Sequence, residues 1–114
     1  MEISIIREVE QRINQIFQKK NDFYRRFGLY PERIIIPIDF LNKLRAAPFS
    51  AYRFDQTLAV DKIFGITIGI NTIDDKFYFE QAEERKTIRF NLAARDFVPI
   101  ISYHDLEYNP QKHG

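Results

Sequence analysis

The sequence predicts an α+β domain, with a long N-terminal amphipathic helix and a short second helix packed on one face of a mainly antiparallel sheet of about four to five strands. Three observations predict it. Apolar residues recur at helical spacing over the first quarter of the chain. Strand-like alternation takes over after residue 60. Hydrophobic residues make up 45% of the 114, including 11 Phe and 6 Tyr, which is enough for one core. At this length one compact unit is the default. It is placed at residues 1–103, with 104–114 read as a frayed tail.

Ile6, Val9, Ile13, Ile16, Lys20, Phe23 and Phe27 are spaced three and four apart in alternation. That is the stripe of a helix over residues 2–27, broken once by Lys20. Ile5 and Phe17 widen it, as in a helix lying on a sheet. Gly28 supplies a stop, and Arg25 and Arg26 in the last turn complement the helix dipole. The run Ile34-Ile35-Ile36 suits a central strand buried on both faces. Pro37 then suits a helix start, and Phe40, Leu41 and Leu44 share one face of a helix of about nine residues ending before Pro48.

Residues 48–57, PFSAYRFDQT, read as a long loop rich in aromatics, either a lid over the sheet edge or a recognition surface. Leu58 and Val60 suggest a short strand ending at Asp61–Lys62. In IFGITIGINTIDDKFYFE, residues 63–80, Phe64, Ile66, Ile68 and Ile70 share one face. Phe77 and Phe79 share a face of the following strand. A hairpin through Thr72–Asp75 is expected to set Ile68 beside Phe79 and Gly69 beside Tyr78, with the ring covering the glycine. Gly65 would then mark a bulge or bend. No glycine here opens a helix, as a phosphate loop requires, so that reading fails. KTIRFNL continues the alternation with Ile88, Phe90 and Leu92 inward, and FVPIISY is a last apolar island.

Composition excludes several chemistries. There is no Cys, hence no disulfide, thiolate cluster or cysteine nucleophile. Two His, His104 and His113, have no metal-site spacing, and Asp74-Asp75 reads as a turn former. Nucleophile elbow, Walker loop and paired-His motifs are all missing. No catalytic residue, cofactor or metal is therefore assigned. Net charge is +1, and no apolar run approaches the ~20 residues of a membrane helix. A charged opening without a secretory signal points to the cytoplasm.

The order from Pro31 and RIII, through the short helix with Phe40 and Leu44 and the extended loop, to IFGITI resembles small proteins of phages, prophages and other mobile elements. The resemblance covers roughly residues 31–80. It implies an accessory or structural role, with no functional residue to carry over.

Two functional expectations follow. The first is a non-enzymatic, self-associating domain acting through protein–protein contacts, with Ile6, Val9, Ile13, Ile16, Phe49, Tyr52, Arg53 and Phe54 as its contact residues. A helix of ~25 residues spans ~38 Å, more than a small sheet covers, so a homodimer through residues 2–27 is expected. The alternative is a nucleic-acid module using Arg12, Lys19, Lys20, Arg25 and Arg26 with the 49–56 loop. Glu8, Glu10 and Asp22 on the same helix weigh against it. An enzyme with an unfamiliar carboxylate site comes third.

Overall fold

A computed structural model describes residues 3–46, 54–56 and 61–104, with side chains over 7–46 and 62–104. Helix α1 is Ile3–Phe27, strand β1 Arg33–Pro37 and helix α2 Ile38–Ala46. The remaining strands are β2 Phe54–Gln56, β3 Asp61–Ile63, β4 Ile66–Asn71, β5 Tyr78–Glu83, β6 Lys86–Asn91 and β7 Pro99–Tyr103. They form one seven-stranded sheet in the order β2-β3-β4-β1-β5-β6-β7, in which only β1 and β4 pair in parallel. The α+β class holds, but the expected four to five strands become seven. The end of the aromatic loop supplies β2 against β3, and FVPIISY supplies β7 against β6.

The stripe of α1 faces this sheet. Val9, Ile13 and Ile16 are fully buried, and Phe23 meets Phe79, Phe90 and Phe97 edge-on at 5.2–5.6 Å between ring centres. Gly28 stops the helix in the left-handed region at φ 77°, its N–H donating to the Tyr24 carbonyl at 2.8 Å. That bond satisfies one of the last orphan carbonyls.

The expected hairpin is not formed, because β1 lies between β4 and β5. Ile34 faces Ile68 on one side and Phe79 on the other; Ile35 likewise faces Gly69 and Tyr78. The predicted levels are present, but separated by one strand. Burial of Ile34, Ile35 and Ile36 requires neighbours on both sides, and the central slot provides them. Asn71 shapes the connection that spans it. Its side-chain amide donates to Asp74 Oδ1 and the Lys76 carbonyl, and its Oδ1 accepts from the N–H groups of Ile73 and Asp74. Gly69 is accordingly covered by Ile35 and Arg33, not by Tyr78.

Gly65 is not a bulge. Phe64 and Gly65, at φ 51° and 79°, form the two-residue turn that closes β3 onto β4, with Ile63 facing Ile66. Positive φ at both central positions is the mark of a type I′ turn.

Candidate interaction surface

Lys20 interrupts the α1 stripe, and its surroundings account for it. The Lys20 ammonium lies 4.6 Å from the centre of the Tyr30 ring, 5.1 Å from Phe17 and 5.9 Å from Phe64. Three separate pieces of chain make this cage. Phe17 comes from the preceding turn of α1, Tyr30 from the segment that folds back after Gly28, and Phe64 from the β3–β4 turn. A cation over an aromatic face contributes roughly 0.5–1 kcal/mol at exposed sites.

The rings form two pairs that the Lys20 ammonium bridges. Phe17 and Phe64 are 5.1 Å apart, and Tyr24 stacks on Tyr30 at 4.6 Å and 28°. Phe17, Tyr24, Leu29 and Tyr30 are 44–48% exposed. Phe64 reaches this surface only by taking a left-handed backbone, which costs a bulky residue on the order of 1–2 kcal/mol.

The structure distributes the expected contact residues differently. Val9, Ile13 and Ile16 belong to the chain's own core and offer no free surface. Ile6 lies in α1 and Phe54 in β2, but their side chains fall outside the described residues, as do Phe49, Tyr52 and Arg53 entirely. Among the described side chains, the exposed large apolar residues of α1 are instead Phe17, Tyr24 and Phe27. Phe17 and Phe27 were legible as part of the stripe. Tyr24 and Tyr30 carried no signal of their own, and Phe64, expected on one strand face with Ile66, Ile68 and Ile70, is taken out of that alternation by the turn before β4.

The five basic residues form no single face. Arg12 lies 4.5 Å over Phe77, and Lys19 donates to the Ala94 carbonyl at 2.9 Å beside Phe97. Arg25 pairs with Asp22, and Arg26 sits over Phe27.

A cleft of about 410 Å³ opens at the C-terminal ends of the parallel strands β1 and β4, where α/β sheets commonly bind ligands. Glu8, Asp39, Asp74 and Asp75 line it, with Arg12 and Lys43. Glu8 is paired with Lys43 at 3.0 Å. The Lys76 backbone N–H, then the Asn71 amide, hold the Asp74 carboxyl below its ordinary value, the wrong direction for an acid or base poised near neutrality. Among the described residues no group of three or more His, Asp or Glu is placed to hold a metal. None of their helices is long and apolar enough to cross a membrane.

On the helix-free face, Glu80 is nearly buried between Arg89 Nε at 2.8 Å and Arg33 Nη1 at 3.5 Å. This triad ties β1, β5 and β6 together.

Comparison with family models, with curated proteins and with solved structures found no match to the chain.

Proposed function

We propose that this chain is a non-enzymatic, self-associating domain that acts through protein–protein contacts. In this reading the aromatic surface around Lys20 receives a partner protein. The observation that carries it is that surface: two ring pairs bridged by one ammonium, three of the four rings nearly half exposed, with Phe64 held there at a backbone cost. Aromatic residues around a single caged cation are the composition of an interface core, where charge is sparse and rings dominate. An accessory role in the cytoplasm, of the kind the mobile-element resemblance implies, fits a chain in whose cleft Glu8 is paired with Lys43 and the Asp74 carboxyl is held ionised.

The stacked pair Tyr24–Tyr30 beside Lys20 supports a second reading, a platform for single-stranded nucleic acid. Dispersal of the basic residues over separate ring contacts and the Arg25–Asp22 ion pair argues against it, since backbone tracking requires a continuous positive groove. A photo-reactive amino acid at Tyr24 separates the two in cell extract. Protein adducts, competed away by unlabelled chain, are expected. Nuclease-sensitive adducts would favour the second reading, and no adduct at all would remove the first.

A further inference from the structure

β7 ends the strand order, and all five of its residues are exposed. Among the described residues β6 is its only strand neighbour. Natural edge strands are usually blunted by charge or bulges, because their outer N–H and C=O groups template another strand. β7, PIISY, has no charged residue, and Ile100, Ile101 and Tyr103 are 50%, 41% and 73% exposed.

The backbone groups on that edge can be assigned. His104 N–H donates to the Arg85 carbonyl at 2.7 Å, one step beyond the pair Lys86–Tyr103. Antiparallel pairs alternate between bonded and non-bonded. Thr87–Ser102 and Arg89–Ile100 are therefore bonded pairs, and Pro99, Ile101 and Tyr103 turn their backbone groups outward. The edge offers the N–H groups of Ile101 and Tyr103 and the carbonyls of all three, Pro99 having no N–H.

We infer that this edge pairs antiparallel with β7 of a second copy across a two-fold axis at Ile101, fusing two sheets into one. Directly opposed residues share a face, so the axis must pass through a residue pair. An axis at Ile100 or Ser102 would oppose groups already turned toward β6. An axis at Pro99 would pair two residues without donors, and one at Tyr103 would carry Pro99 and Ile101 past the end of β7. At Ile101 the two copies exchange both bonds, and each Tyr103 N–H meets a Pro99 carbonyl. Pro99, Ile101 and Tyr103 share the face of Phe90, Ile88 and Lys86. The join thus sets Ile101 on Ile101 and Tyr103 on Pro99, continuing the apolar surface of Ile88 and Phe90. An uncharged strand brings no like charges together on its own copy, which is why a second copy fits it. The aromatic surface lies beside β3 and β4, at the other end of the strand order, so a dimer presents two of them.

The inference rests on the self-associating reading and names its interface. Sedimentation of the full chain at micromolar concentration is expected to give a dimer. Ile101→Lys and Ile101→Glu, which oppose like charges at the axis, are each expected to weaken dimerisation ~10-fold or more. Mixing the two variants restores a dimer, which also shows that both are folded. Hydrogen exchange adds a second readout, since the Ile101 and Tyr103 amides slow on dimerisation while those of Ile100 and Ser102 are already protected by β6. A dimer indifferent to both variants would overturn the β7 interface and leave self-association standing. A monomer at all concentrations would overturn both.

Discussion

Ile35 lies across Gly69. A Cβ built at residue 69 would stand 2.7 Å from Ile35 Cδ1 and 3.0 Å from Arg33 Nη2. The two residues are direct neighbours in the parallel pair of β1 and β4. Gly69→Ala reduces unfolded-chain entropy by about 0.4–1 kcal/mol, but overpacking at a buried site costs about 1–3 kcal/mol. Both crowding atoms are ends of side chains that can turn aside, so the overpacking falls at the low end of that range and a net loss of no more than ~1 kcal/mol is expected in chemical denaturation. Ile35→Val removes the crowding methyl, so the double variant should lose less than the two single variants summed. Simple additivity would mean that the close approach has no energetic weight.

Phe64 tests how strain and contact balance. Truncating a well-packed Phe normally costs about 3–5 kcal/mol. Phe64→Asn loses ring contacts with Phe17, but it places Asn-Gly, the favoured pair, in a type I′ turn. Stability should change by no more than ~1 kcal/mol, since relief of the left-handed backbone returns on the order of 1–2 kcal/mol. Adduct formation at Tyr24 should fall in the same variant. A full truncation cost would show that Phe64 is ordinary core.

How much of this was legible turns on Ile34, Ile68 and Phe79. Alternation assigns each to a face, and the level shared by Ile68 and Phe79 follows from their distances to the connecting turn. Lateral order is not encoded in that pattern. Two strands separated by a third show the same faces and levels as two strands in contact. Ile34–Ile36 demanded a central slot, yet nothing local states which strands flank it. The seam of α1 was legible because helical spacing is a local property. The Lys20 cage was not, because Tyr30 and Phe64 join it only through the positive-φ turns at Gly28 and Phe64–Gly65.

The pH dependence should be steepest at both extremes. Asp74 has its folded pKa lowered from 3.8, chiefly by the Lys76 N–H and then by the Asn71 amide. Its contribution is complete above 3.8 and is lost as pH falls through the lower folded value. Tyr78 has its pKa raised from 10.0, first by burial and then by the nearby Asp74 charge and hydrogen bond. Its contribution is complete below 10.0 and is lost as pH rises from there through the raised value. Tyr78→Phe should flatten the alkaline limb and change the acid limb only slightly, whereas Asp74→Asn should flatten the acid limb and, by removing the charge and hydrogen bond that raise Tyr78, also lessen the alkaline one. Spectrophotometric titration of the tyrosines provides the direct check. A Tyr78 that titrates at its ordinary value would remove the alkaline prediction.

Lys20 should reveal whether the cage is held by charge or by shape. Its ammonium faces three rings, whose faces carry negative quadrupole potential. Lys20→Glu replaces attraction with repulsion at that point and should cost about 1–2 kcal/mol, the cation–π contribution plus the new unfavourable contact. Lys20→Leu restores the apolar stripe between Ile16 and Phe23, so its stability should match or exceed that of the parent chain. The same change removes the single charge from the centre of the aromatic surface, and solubility should fall as the exposed patch becomes wholly apolar. Denaturation midpoints in the order Leu, then Lys, then Glu would fit a ring-lined seam position. In NMR spectra the Lys20 side-chain protons should lie upfield, shifted by the rings above and beside them. Ordinary shifts, together with equal stability of all three proteins, would mean that Lys20 points into water and that the aromatic surface has no cation at its centre.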